Sequence, residues 1–454
     1  MRPGSIALLA AAVVVVTAGA AFAMLGWASE IPPKEPQPGQ SFDQALIARG
    51  AELARIGNCN TCHTNKDGAP YAGGLPVPTP FGTIHSTNIT PDPETGIGRW
   101  SEDAFRRAMH EGVRRDGEHL YPAFPYDHFT KVSAEDVSAI YAFLMTREPV
   151  RAENPSNELA FPFNFRPLIA GWKLLFFEPG EFKPDPAQSA EWNHGTYLAE
   201  GLAHCGACHT PRNALGAEDS ERKFGGGDIE NWHAPALNAA SPAPVPWNAE
   251  QLATYLRKGF VEPHGVAAGP MQDVVNNLAH VPEEDVTAIA TYVAASLSPA
   301  TADRGDEAKA TRRRIESGAP LTTSAIGSGP TTSAAAPAHQ DGAGSRSEGA
   351  IIYQGACAQC HERTGQRISA RGIHLAFSKV LHLEDPRNLI HVIDDGIPPP
   401  EGTPAATMPG FADVFTDQQM AALVNYLRST YANQPAWQGV EQLTRSLRDG
   451  KAGR

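Results

Sequence analysis

The chain has 454 residues, 41% of them hydrophobic, enough for about three domains with cores of their own. Its formal charge is −13 and no long basic run occurs, which excludes the electrostatic footprint of a nucleic-acid-binding protein. An acidic surface suits a soluble globular protein that docks to basic partners.

The first element is an uncharged stretch, Ile6–Ala28, behind Arg2. At ~1.5 Å per residue it is long enough to cross a ~30 Å hydrocarbon layer. Ala21-Phe22-Ala23 also resembles a signal-peptidase site, but the apolar run exceeds the ~7–15 residues of a signal-peptide core. Residues 1–29 are expected to be an uncleaved signal anchor, with a cleaved signal peptide as the alternative. Either places the remaining chain on the periplasmic side of a bacterial inner membrane.

Six cysteines in an oxidising compartment would ordinarily suggest disulfides. Their spacing points elsewhere. All six fall in Cys-x-x-Cys-His motifs: Cys59, Cys62 and His63; Cys205, Cys208 and His209; Cys357, Cys360 and His361. This is the signature of covalent haem c attachment. Two thiols add to the two vinyl groups on one porphyrin edge, and the next residue offers an imidazole to the iron. One helical turn brings positions i, i+3 and i+4 to one face, so it supplies all three groups. A redox dithiol or half a zinc site would not need a histidine after each second cysteine. Three haem c groups are expected, with His63, His209 and His361 as proximal iron ligands.

The motifs lie 146 and 152 residues apart, and the chain repeats around them. A helix-like segment with a glycine precedes each motif, at Gly50, Gly195 and Gly349. An amphipathic helix closes each repeat: Ser133–Leu144, Pro282–Val293 and Thr416–Leu427, with Phe143, Tyr292 and Tyr426 in one slot. This pattern resembles the class I cytochrome c domain, in which the first and last helices cross with glycine under an aromatic. The expected fold is mainly α: three class I cytochrome c domains in tandem, 42–148, 188–298 and 346–432, behind the N-terminal membrane segment. Residues 149–187 connect the first two, 299–345 read as a flexible linker rich in Ala, Gly, Ser, Thr and Pro, and 433–454 as a C-terminal tail. The apolar Arg166–Phe177 in the connector is too short to span a bilayer. Packing between haem domains is the favoured reading, with the membrane interface or a partner as alternatives.

In this domain class a methionine before the last helix usually completes the iron. Met271, in Ala-Gly-Pro-Met, and Met408, in Met-Pro-Gly-Phe, hold that place in repeats two and three. A buried core methionine is the competing reading of each. Repeat one has Phe124 there, and phenylalanine cannot bind iron. His128 is the best substitute and His119 the runner-up, and a five-coordinate iron is the third possibility. Met109 and Met145 read as core residues.

The whole arrangement resembles the triple-haem cytochrome c subunit of membrane-associated bacterial dehydrogenases. The resemblance rests on Ser86–Ser101, His119–Ser133, Pro162–Phe177, Cys205–Gly216 and Glu384–Ile397. It implies a catalytic dehydrogenase subunit with a molybdenum or quinone cofactor as donor, and ubiquinone or a terminal oxidase as acceptor. With Phe124 in place of methionine, the chain looks like the branch accompanying molybdenum hydroxylases of aldehydes or N-heterocycles such as nicotinate, rather than the alcohol dehydrogenase branch. As an electron carrier it needs no catalytic residue of its own. The alternative is a haem enzyme, of peroxidase or thiosulfate dehydrogenase kind, using an open iron in repeat one.

Overall fold

The computed structural model describes residues 26–35, 41–297, 309–310, 312–313, 347–361, 373, 375–399 and 408–452. Most of the expected membrane segment and most of the expected linker lie outside the described residues. No helix among those described is long and apolar enough to cross a membrane. The chain divides into two compact units, Met1–Ala207 with Asn213–Ala217, and Cys208–Arg212 with Glu218–Arg454.

The first unit is built on two crossed helices, α1 (Gln44–Ile56) and α5 (Ala134–Met145). Asp43 starts α1 by accepting from the N–H groups of Ala45 and Leu46. Ser133 starts α5 the same way through the N–H of Asp136, with Glu135 and Asp136 favourably placed in its first turn. The crossing is close because Gly50 has no side chain. A Cβ there would lie 1.9 Å from the Ala139 carbonyl oxygen and 2.8 Å from Phe143 Cβ. The expected glycine under an aromatic is therefore present in this repeat. Between the two helices come α2 (Cys59–His63), the antiparallel hairpin β1 (Pro76–Thr79) and β2 (Gly82–His85), α3 (Glu102–Glu111) and α4 (Tyr126–Phe129). Strand β3 (Glu158–Leu159) adds to β2. Then come α6 (Leu168–Phe176) and α7 (Ala190–Tyr197), which runs on into one π-helical turn, Leu198–Leu202.

Helix α6 packs on one side, where Trp172 Nε1 donates to the Leu215 oxygen of repeat two and the rings of Trp172 and Phe177 meet Tyr126 of repeat one. Ala170 is its one buried residue, and Leu174 and Leu175 are each 70% exposed.

The second motif's turn is α8 (Gly206–His209). The second unit continues with the hairpin β4 (Gly227–Ile229) and β5 (Trp232–Ala234), α9 (Ala249–Lys258), a short pair β6 (Phe260–Val261) and β7 (Gly265–Val266), α10 (Pro270–Leu278) and α11 (Glu283–Leu297). Its remaining helices are α12 (Glu348–Ala356), α13 (Ala358–His361), α14 (Arg387–Asp395), α15 (Asp417–Tyr431) and α16 (Val440–Ala452). Helices α12 and α15 repeat the crossing of α1 and α5. A Cβ on Gly349 would lie 2.2 Å from the Ala422 carbonyl oxygen and 2.7 Å from Tyr426 Cβ. Helix α15 opens on a full capping box, Thr416 with Gln419.

The residues read as a C-terminal tail are not loose. Trp437, Val440 and Leu447 are buried with Tyr353, Met420 and Leu423 in one core. Arg448 forks onto Asp394, whose side chain is fully buried, with bonds of 2.7 and 3.0 Å.

Candidate haem-attachment sites

Each motif occupies a single short helical turn, as the addition of two thiols and one imidazole to one porphyrin requires. No disulfide joins any of the six cysteines. Burial, and then the neighbouring Cys62, push the Cys59 thiol up to about 12. Burial and then Cys360 push Cys357 up to about 11.

The histidines carry the most informative geometry. Nδ1 of His63 lies 2.6 Å from the Thr87 carbonyl oxygen, Nδ1 of His209 lies 2.7 Å from that of Pro235, and Nδ1 of His361 lies 3.1 Å from that of Ile373. A carbonyl only accepts, so each Nδ1 carries the proton and each Nε2 keeps its lone pair. No hydrogen bond is made by any of the three Nε2 atoms among the described residues. Burial lowers the pKa of His63, and lowers that of His209 to about 4, which keeps both rings neutral. A neutral imidazole with Nδ1–H on a carbonyl is how a protein presents a histidine to a metal. The residues present therefore fit haem c.

Repeats one and two build this clamp alike. Thr87 and Pro235 follow directly on the hairpins β1–β2 and β4–β5. The main chain of each histidine is held as well. Gly73 N–H donates to the His63 oxygen at 2.7 Å, and Gly226 N–H to the His209 oxygen at 2.8 Å. Both glycines have positive φ, 75° and 90°. These carbonyls and glycines are the functional groups that sequence reasoning missed. A backbone carbonyl has no residue signature, and Gly225-Gly226-Gly227 reads simply as a loop.

The candidate sixth ligands fall in three settings. Met271 is the second residue of α10, half-buried behind Gly269 and Pro270. Met408 is half-buried and pairs with Ile397 through two backbone bonds of 2.9 and 3.0 Å, at the edge of the third repeat's core. Phe124 packs its ring 5.2 Å from Phe129. His128 is buried on α4, its Nδ1 2.7 Å from the Glu200 carbonyl oxygen and its ring 6.4 Å from that of His204. A backbone carbonyl thus also meets its Nδ1. His119 is also buried, its Nδ1 3.0 Å from Lys173 Nζ. Met109 is in the core as expected.

Flanking residues of different repeats also meet. In the first unit, His204 Nε2, one residue before Cys205, lies 3.4 Å from the carbonyl oxygen of Gly57, two before Cys59. Leu202 packs against the same glycine. In the second unit, Asn388 of α14 exchanges two bonds with the His233 backbone, at 2.8 and 2.7 Å, and Trp232 stacks on His391 at 4.8 Å. Ile373, which orients His361, packs against Gly265.

Residues 344–427 match the family model of cytochrome c oxidase, cbb3-type, subunit III. The matched stretch contains Cys357, Cys360, His361 and Met408. The chain is 44% identical over 438 residues to a subunit of nicotinate dehydrogenase from Pseudomonas putida, covering 95% of this chain but 34% of that protein. It thus spans about a third of that relative's length. It is 36% identical to the cytochrome c subunit of alcohol dehydrogenase (quinone) from Gluconacetobacter polyoxogenes, over 86% of this chain and 81% of the relative. It is 37% identical to the gluconate 2-dehydrogenase cytochrome c subunit of Pantoea cypripedii, over 86% and 87%. With the attachment turns, the clamped histidines and these relatives together, the chain belongs to the family of cytochrome c subunits of dehydrogenase complexes and carries covalently bound haem c.

Proposed function

We propose that the chain is a periplasmic, membrane-associated cytochrome with three haem c groups in three tandem class I domains. In this reading it takes electrons from a catalytic dehydrogenase subunit, of molybdenum or quinone-cofactor type, and passes them to ubiquinone or a terminal oxidase. The observation that carries the reading is the threefold repetition of one device: a Cys-x-x-Cys-His turn whose histidine is fixed through Nδ1 to a backbone carbonyl. The relatives' names, as subunits of nicotinate, alcohol and gluconate dehydrogenases, support a dehydrogenase as donor.

Haem c supplies a one-electron iron couple. The chain's own residues hold, orient and tune it. Cys59 and Cys62, Cys205 and Cys208, and Cys357 and Cys360 would fix the porphyrin edges. His63, His209 and His361 would offer Nε2, made more basic by the carbonyl on Nδ1. Met271 and Met408 would complete the second and third irons and raise their potentials, whereas His128 would complete the first and lower it. No acid, base or nucleophile is needed.

Purification from native membranes, with identification of the co-purifying subunit, tests this reading. A dehydrogenase subunit whose substrate reduces the haems is the expected result. Binding of carbon monoxide or cyanide by the resting protein, with turnover of a small substrate by this chain alone, would favour the haem-enzyme reading instead.

A further inference from the structure

Surface helices ordinarily bury an apolar stripe and show water their polar face. Helix α6 is inverted. Leu168, Gly171, Leu174 and Leu175 share one face at helical spacing. That face is open: the leucines are exposed, and a Cβ on Gly171 would meet nothing within 4 Å. The polar groups of the helix turn inward. Lys173 Nζ donates to the Gly112 oxygen at 2.9 Å and sits 4.7 Å from the Tyr126 ring centroid, and Trp172 Nε1 donates to the Leu215 oxygen at 3.0 Å. The loop leading into α6 adds Phe161, 84% exposed, and the exposed Phe163. Exposed apolar side chains gathered in this way mark an interaction surface.

The path of the chain indicates what covers it. Gly26, Trp27 and Ala28, the last residues of the uncharged stretch Ile6–Ala28, lie beside this helix. A Cβ on Gly26 would lie 3.0 Å from Cβ of Pro167, the residue before α6. Next, Trp27 is 52% exposed, and Ala28 N–H donates to the Gly117 oxygen at 3.1 Å. The end of a membrane-length apolar run and the inverted helix thus meet at one place, with a tryptophan of the kind that marks membrane–water interfaces.

We infer that this face of the first unit is seated in a phospholipid surface. Helix α6 lies in the plane of the bilayer, with Leu168, Leu174, Leu175 and Phe161 in the boundary between headgroups and acyl chains. Its nine residues are far too short to cross. With a net charge of −13 on the chain, the attachment is apolar and resists salt. The inference rests on the membrane-associated reading above and gives it a surface that the N-terminal stretch alone does not.

The test uses the full-length haem-loaded protein in nanodiscs of phosphatidylethanolamine and phosphatidylglycerol, doped with a phospholipid bearing a photoactivatable diazirine in its acyl chain. Adducts are mapped by mass spectrometry. The expected result is lipid on peptides covering 161–177 as well as 1–28, above the level on peptides holding the exposed Ile351, Phe260 and Val414. Leu174→Glu with Leu175→Glu, both at exposed positions, should remove the 161–177 adducts and leave those on 1–28. Adducts confined to 1–28, or protein–protein crosslinks at α6 in their place, would overturn the inference while leaving the membrane reading intact. No adducts anywhere would overturn the membrane reading itself.

Discussion

A histidine that serves an iron must offer one nitrogen and commit the other. At His63, His209 and His361 the commitment is made to a carbonyl, so the ligand tautomer is set by the backbone rather than by a second side chain. His128 also has its Nδ1 on a backbone carbonyl, that of Glu200. Electron paramagnetic resonance should show one bis-histidine low-spin haem, lost in His128→Ala. Histidine–methionine signatures at every haem, or an unchanged variant, would remove His128 from the site. Two glycines make a second test. Gly50→Ala forces a Cβ into the Ala139 carbonyl and should cost about 3 kcal/mol. Gly171→Ala, in open space, should change stability by no more than about 1 kcal/mol, in the stabilising direction. Thermal unfolding followed by haem absorbance checks both. The cysteines, histidines and crossing glycines were legible in the sequence because their chemistry or their lack of a side chain is the function. Thr87, Pro235 and Ile373 were not, because only their carbonyls act and any residue has one.

Helices tell a similar story with different failures. The closing helices α5, α11 and α15 were readable from their caps and apolar spacing, since those features respond to local physics. Helices α6 and α16 were only partly legible, for opposite reasons. An apolar segment defaults to the core, yet α6 packs one side and leaves Leu174 and Leu175 exposed; a polar segment defaults to a tail, yet α16 is anchored by Trp437, Val440 and Leu447. Breaking the Arg448–Asp394 pair shows how firmly. Arg448→Ala leaves a buried carboxylate without its cation and should destabilise the third repeat by about 3 kcal/mol, read from denaturant midpoints. Acid acts on the second repeat through His264, stacked 3.4 Å from Trp247 with Nε2 on Gln251. Burial and then the Lys379 charge lower its pKa to about 3. The unfolded chain binds this proton near pH 6.5 and the folded chain does not. Stability is therefore lost as pH falls from about 6.5 toward 3. His264→Gln should flatten the dependence of the denaturant midpoint on pH between about 6 and 4.

On the scale of the whole chain, equivalent attachment turns need not mean equivalent irons. Repetition of the turn, the carbonyl clamp and the helix crossing argues for one device used several times. Phe124 in place of methionine argues that its first copy is tuned differently. Family and cofactor were legible because three motifs, their spacing and several long segments agree. The catalytic partner was less so, since the chain's own residues hold haem rather than substrate. Spectroelectrochemical titration of the purified chain tests the central claim most directly. The account predicts three one-electron reductions per chain, one of them well below the other two in potential. Fewer than three electrons per chain would contradict it.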